Sequence, residues 1–392
     1  VKILFLSHSP NNPNGGASRI YHMLTDGLRK RGHSVTTLHF EDFHPPRSQL
    51  PSLLVLRLAM PQWISHQAAK RDLLSFDVIM SSSGMAYPIF KRLQSLKKRP
   101  VLINHCHGSP IYDFASNLAE DRMGHCKVSL KYRTVTGPFQ LRWFVKGMLW
   151  SDLTVVQNIR DLGEAQSNPR CRAALIPAAV HPELLEASKV LHPVSARNPS
   201  KILWFGKWEG KKGAYYVPDA FRRVRQQRPD ATLTLWGTGK SASELLAKFD
   251  PADREAVEVV PHINLSEQIE RYKSFSIFLF PSITEGFGLA LPEAMSFGLA
   301  AVTTQAGFGG DHLEDGTNAR VVYPSSPHLA RAILGLIEDD ELRWRLATAG
   351  REIARAFTLE RMLTAYEKAF TEAQNYRASE ILATSGRTAT DL

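Results

Sequence analysis

Residues 276–298, SIFLFPSITEGFGLALPEAMSFG, constrain the fold more than any other stretch of this chain. Ser276 to Phe280 is an apolar run ending in Pro281-Ser282, the pattern of a buried strand emerging into a loop. Gly286, Phe287 and Gly288 then make a small turn, and a helical pattern runs from Leu289 to Phe297 and stops at Gly298. A helix starting there points free backbone N–H groups back at the glycines, where they and the helix dipole suit a phosphate. Glycine lets the backbone approach that anion with no Cβ in the way. Glu285 stands just before the helix and Glu293 about one turn inside it, so both can border one pocket. A carboxylate is a poor neighbour for phosphate but a good acceptor for the two hydroxyls of a diol. Phosphate on the amides and hydroxyls on the acids together describe a nucleotide sugar. A capped helix with two solvated glutamates is the plainer account of the same residues.

The same alternation of strand, turn and helix fills the chain. Val1 to Ser7 reads as a strand, Asn11 to Gly16 (NNPNGG) as a loop, and Ile20, Met23, Leu24 and Leu28 as one face of a helix ending at Gly32. Ser34 to Phe40 is the next strand, which makes a βαβ unit with an anion-suited helix start at Gly16, although no GxGxxG is present. Phe43 to Ile64 reads as an irregular insertion or a short amphipathic helix. Further parallel strands are expected at Phe76 to Ser81, Val101 to Asn104 and Asp152 to Gln157, the last of the first domain. Four prolines between Leu175 and Pro199 mark a linker, after which the pattern restarts at Ile202. The expected organisation is therefore α/β, with two doubly wound Rossmann-like domains facing a cleft, at 1–180 and 201–358, joined by a linker at 181–200. Residues 377–392 are small and polar, and are expected to form a tail without structure.

Two basic or aromatic stretches stand out. Gly206 to Gly213 (GKWEGKKG) places Lys207, Lys211 and Lys212 among glycines after a strand, where a diphosphate can be gripped; an exposed basic turn reads the same way. Leu130 to Trp150 mixes Lys131, Arg133, Arg142 and Lys146 with Phe139, Trp143, Phe144 and Trp150, and a helix there should break near Gly137-Pro138. Its second half suits either a membrane interface or a core-packed helix with basic residues outward.

The E-G-F-G-x-x-x-x-E pattern from Glu285 to Glu293, followed by A-M-x-x-G, resembles the signature of family 4 retaining glycosyltransferases of the GT-B fold. The resemblance covers essentially residues 1–25 and 100–376. It implies that Glu285 faces the donor sugar, Glu293 holds the ribose, and the amides of Gly286, Phe287, Gly288 and Leu289 bind the diphosphate. Gly15, Gly16 and Arg19 match the family's glycine loop over the diphosphate. His107 matches its histidine beside the donor sugar, with His105 the alternative. Lys207 stands where the family usually has arginine and Lys212 where it has lysine, the two clamping the diphosphate; Lys207 supplies charge without arginine's planar fork. The last helix, 359–376, would return to the first domain. Pro292, directly before the second acid, departs from the pattern.

The implied function is transfer of a hexosyl-type sugar from a nucleotide-diphosphate donor to an acceptor hydroxyl with retention, as in polysaccharide biosynthesis. No Asp-x-Asp occurs anywhere, so a metal-independent enzyme with no cofactor is expected, the lysines and helix start stabilising the leaving group. The H-x-H of His105 and His107 is the one metal-like spacing, and no third ligand lies near it in sequence. Net charge is +10, but residues 1–200 carry 25 Lys and Arg against 13 Asp and Glu, so the excess lies in the half that would meet the acceptor. A lipid-linked or cell-envelope saccharide, with peripheral contact to an anionic membrane, fits that asymmetry. A nucleotide-sugar epimerase and a basic nucleic-acid-binding protein are the alternatives, and the second leaves Glu285 and Glu293 without a role. Three scattered cysteines and no apolar run of spanning length point to the cytoplasm, at most peripheral on the membrane's inner face.

Overall fold

The computed structural model describes residues 1–13, 15–43, 53–190 and 197–387, with the backbone alone at 53–58 and 380–387. The chain divides into two compact units. The first comprises Val1–Ile111, Val128–Ala178 and Leu359–Leu392; the second comprises Tyr112–Lys127 and Ala179–Thr358. Against the expected boundary near 180, Tyr112–Lys127 groups with the second unit.

The first unit is built on six parallel strands: β1 (Lys2–Leu6), β2 (Ser34–Leu38), β3 (Val78–Ser82), β4 (Val101–His105), β5 (Leu153–Val156) and β6 (Ala173–Leu175), in the order β2-β1-β3-β4-β5-β6. β6 was not expected; at three half-buried residues it is too short to give a periodic signal. Central strands β3 and β4 are buried at every residue, as sheets covered on both faces require. The order in which strands are added to the sheet reverses between β1 and β3, which pair in parallel with Ile3 against Val78 and Leu6 against Ser81. Ligands of open α/β sheets bind beyond the strand carboxyl ends at such a switch.

The second unit repeats the plan with β7 (Lys201–Phe205), β8 (Thr232–Trp236), β9 (Val257–Val260), β10 (Ile277–Phe280), β11 (Ala300–Thr303) and β12 (Arg320–Val321), in the order β12-β11-β10-β7-β8-β9. Its switch point lies between β7 and β10. The loops leaving those two strands are Gly206–Gly213 and Pro281–Gly288, the two stretches singled out for chemistry.

Four local expectations are corrected or filled in. The helix expected to break at Gly137-Pro138 does not; a π-helical turn, Tyr132–Thr136, leads straight into a helix over Gly137–Leu149. The Gly137 amide bonds back to the Tyr132 carbonyl, and this wider turn makes room for a proline ring and its missing donor. The uncertain insertion contains a helix over Leu53–Ala68, with residues 44–52 outside those described. The expected tail is helical as far as Arg387, because one helix runs from Leu359 to Arg387; residues 388–392 lie outside those described. That helix belongs to the first unit, where Arg31 pairs with Glu360 and Glu367, Leu363 covers Gly27, and Arg377 donates to the carbonyls of Arg99 and Pro100. The stretch expected as a linker holds a helix over Pro182–Ala187, and residues 191–196 are outside those described.

Candidate functional site

In the second unit, the β7 and β10 loops are tied to each other. The amide of Ile283 donates to the Lys211 carbonyl at 2.8 Å, and Gly213 lies so close to Pro281 that a Cβ there would meet the proline carbonyl oxygen at 1.9 Å. Gly213 sits at φ +66°, a left-handed conformation, so it serves both turn and contact. This lashing brings Lys212 to Glu285: their charged atoms are 2.6 Å apart, with the carboxylate 8 % and the lysine 22 % exposed. Ser282 donates to the same Glu285 oxygen at 2.7 Å. Lys211, one residue before, bonds Asp113 at 3.2 Å. Lys207 is exposed, and Trp208 is held by a backbone bond to Thr238.

Beyond Glu285 the chain turns at Gly288 into a helix over Ala290–Ser296. Pro292 falls within its first turn, where no intrahelical donor is lost. Glu293 is 1 % exposed. The Phe287 ring packs against Phe308 and Phe357, so this residue can offer a ligand only its backbone. At seven residues the helix is shorter than the sequence pattern suggested. The cationic part of the site therefore rests mainly on Lys207, Lys211 and Lys212.

The first unit holds the remaining sequence-derived residues. Gly15 caps a helix over Gly16–Lys30, and Arg19, 5 % exposed, lies in its first turn; Asn14 is outside the described residues. His8, just beyond β1, meets Ser82 at 2.5 Å through Nδ1. His105 ends β4, fully buried, with Tyr366 of the last helix 3.0 Å from its Nε2 and Gln157 at 3.4 Å. The His107 ring lies 4.3 Å from those of both His105 and Tyr21, edge-on to the tyrosine and tilted against the histidine. So β1, β3 and β4 gather three histidines at the switch point. Burial lowers the pKa of each: His8 to about 4, His105 to about 3, and His107 in the same direction with its two histidine neighbours adding to the effect. All three are neutral at physiological pH.

A pH dependence of stability follows. In the unfolded chain these histidines take up protons below about pH 6.5; His8 and His105 in the folded unit resist until about 4 and 3. Between those limits the unfolded state binds more protons, so stability falls as pH falls, by up to about 1.4 kcal/mol per pH unit for each histidine. Urea midpoints of the first unit should drop steadily from pH 6.5 to 4.5, and the slope should flatten in His8→Gln. Equal slopes in wild type and variant would rule His8 out as a contributor.

The structure thus brings Lys207, Lys212, Glu285, Gly286, Phe287, Gly288, Leu289 and Glu293 to one end of the second sheet, and Gly15, Gly16, Arg19 and His107 to one end of the first. Sequence reasoning missed Asp113, Ser282 and Thr284. Asp113 lies 98 positions from Lys211 and 171 from Thr284, and no local pattern marks it. The basic segment fared unevenly: Trp143 and Phe144 are buried, while Leu130, Phe139, Lys131, Arg133, Arg142 and Lys146 remain exposed. Its aromatic content is thus mostly core packing. No helix among the described residues is long and apolar enough to cross a membrane.

Residues 199–339 match the family described as Glycosyl transferases group 1. A glycogen synthase of Mycobacterium tuberculosis is 25 % identical over 368 residues, 86 % of each chain. The first two curated relatives match less of themselves, 47 % and 36 % of their lengths, at 26 % and 23 % identity. Among solved structures, sucrose-phosphate synthase from Thermosynechococcus elongatus superposes with a TM-score of 0.73 at 16 % identity, covering 96 % of this chain and all of that one. HepE of Anabaena, solved with UDP-glucose, gives 0.65 at 17 % identity, covering 95 % and 99 %. The fold of these structures is the fold of this chain.

Proposed function

With a group 1 glycosyltransferase domain at residues 199–339 of a GT-B-type, family 4-like chain, we propose a retaining transferase that takes a hexosyl-type sugar from a nucleoside-diphosphate donor. The observation that carries this reading is the convergence, at the β7/β10 switch point, of the glycine-bound lysines with Glu285 and buried Glu293. The UDP-glucose held by HepE supports a nucleotide sugar as the ligand.

In this reading Glu293 accepts the ribose hydroxyls and Lys207 and Lys212 face the diphosphate, with the Gly286–Leu289 amides. Glu285 faces the sugar, and its bond to Lys212 keeps it aimed. The anomeric carbon–oxygen bond to phosphate breaks, and the lysines stabilise the negative charge that collects on the leaving group. The acceptor oxygen bonds the same carbon from the same face while its proton passes to the departing phosphate. Neutral His107 can donate a hydrogen bond to a sugar hydroxyl, and Gly15, Gly16 and Arg19 take the diphosphate role that the resemblance implies. The acceptor is a saccharide, lipid-linked or of the cell envelope. We place the protein in the cytoplasm; any membrane contact would run through the exposed basic set from Lys131 to Lys146, with Leu130 and Phe139 as its apolar members. No observation favours the epimerase or the nucleic-acid reading.

Screening nucleotide sugars for protection against thermal unfolding identifies the donor, since a ligand at about 100 times its dissociation constant adds about 2.7 kcal/mol. With that donor, turnover should be unchanged by EDTA, because lysines supply the charge that a metal would otherwise bring. Loss in EDTA with rescue by Mn²⁺ would overturn the metal-independent reading.

A further inference from the structure

Asp113 lies in a helix over Pro110–Arg122, far in sequence from the lysines and glutamates above, yet in the same compact unit. One of its carboxylate oxygens accepts from the Thr284 hydroxyl and the other from the Lys211 ammonium at 3.2 Å. Thr284 is the residue before Glu285, and Lys211 the residue before Lys212. Asp113 therefore bridges the two loops on one side of the Lys212–Glu285 pair, while the Ile283–Lys211 backbone bond ties them underneath. The segment carrying Asp113 has a second anchor. Glu120, 4 % exposed, accepts from the Tyr216 hydroxyl at 3.0 Å and pairs with His125 at 2.9 Å. Tyr216 sits at the far end of the lysine loop, just before the helix over Val217–Gln227. Two acids of one short segment thus grip both ends of the loop from Lys211 to Tyr216. Asp113 also raises the Lys211 pKa, against the lowering effect of burial, and so keeps that ammonium charged.

We propose that Asp113 is a positioning residue of the donor site, holding Lys211 and Thr284 so that Lys212 and Glu285 stand in register for a nucleoside diphosphate. The inference rests on the donor-site reading above. It deepens that reading by making residues 112–127 part of the donor site. Asp113 acts through its two partners and does not touch the donor. A carboxylate placed directly on the phosphates would repel them; placed one residue back, it orders the cations without lying on the anion.

The test measures binding of UDP, GDP and ADP by calorimetry to the full chain, and follows the tightest of the three through a double-mutant cycle. Asp113→Ala should weaken it about five- to tenfold, since a half-exposed charged hydrogen bond is lost and two loops are loosened. Asp113→Asn keeps an acceptor for Thr284 and should lose less. In a Lys211→Met background, Asp113→Ala should add little, because its main partner is already gone. Circular dichroism and the unfolding midpoint confirm that the variants compared are folded; if Asp113→Ala is not, the cycle is run with Asp113→Asn. Equal affinity in wild type and variant would overturn the proposal, and so would a fully additive loss with Lys211→Met. Tighter binding by Asp113→Asn would also overturn it, by showing that Asp113 competes with phosphate for Lys211. The donor-site reading itself fails on different variants: it falls if Glu293→Ala and Lys212→Ala bind like wild type. If those two lose affinity while the Asp113 cycle shows no coupling, only the positioning role is lost.

Discussion

Replacing Glu293 with alanine is expected to weaken nucleoside-diphosphate binding about ten- to a hundredfold while the protein stays folded. A hydrogen bond from a ligand hydroxyl to a charged, buried acceptor contributes roughly 1.5–3 kcal/mol. Glu293 qualifies because its side chain is enclosed at the start of the helix over Ala290–Ser296, where little water competes for it. Lys212→Ala should lose a similar amount for a different reason. It removes the cation proposed to face the phosphates and leaves the Glu285 carboxylate, 8 % exposed, without that partner. The two variants should also separate by ligand. Glu293→Ala should bind inorganic pyrophosphate as well as wild type does, because pyrophosphate has no ribose, whereas Lys212→Ala should lose affinity for both. Calorimetry with the two ligands reads this directly, and loss of pyrophosphate binding in Glu293→Ala would show that the acid acts on the loop and not on a ribose.

The second large effect is on stability. Gly213→Ala is expected to cost the second unit about 4 kcal/mol, or roughly 10 °C in its unfolding midpoint. The left-handed backbone accounts for about 1–2 kcal/mol. The remainder comes from the new Cβ, which would stand 1.9 Å from the Pro281 carbonyl oxygen and force the two loops apart. Gly316 is the natural control: it has φ +74° with nothing within 4 Å of the added carbon, so Gly316→Ala should show only the backbone cost. Differential scanning calorimetry of the three proteins separates the contributions, and equal midpoints for the two variants would mean that the Gly213–Pro281 contact is not a constraint.

Much of this fold was legible because its strands are apolar runs bounded by glycine and proline. β10 lies within the apolar run that implied it, and the switch point between β7 and β10 falls where the lysine-rich and glutamate-rich loops leave the sheet. The two-residue β12 and three-residue β6 carry too few side chains for any period, and only pairing to a neighbour defines them. Pro138 misled for a specific reason: its cost applies to an ordinary α-helix, and the preceding π-turn removes it. The exposed faces of a basic, aromatic segment were also illegible, since Trp143 and Arg142 are adjacent in sequence but differ completely in burial.

The candidate site divides along the same line. Glu285, Glu293 and Lys212 sit within local patterns and could be named from spacing and resemblance. Asp113 could not, because its bonds to Lys211 and Thr284 exist only once the chain has folded the 112–127 segment onto the second unit. Nor could spacing reveal that Phe287 turns its ring into an aromatic cluster and leaves only backbone toward a ligand.

Hydrogen–deuterium exchange with and without the tightest-binding nucleoside diphosphate tests the central claim most directly, since it reports where the ligand sits without requiring an acceptor. The account predicts slower exchange at the amides of Gly286–Glu293 and Lys207–Gly213 in the second unit. Protection confined to other segments, with those two loops exchanging as before, would contradict it.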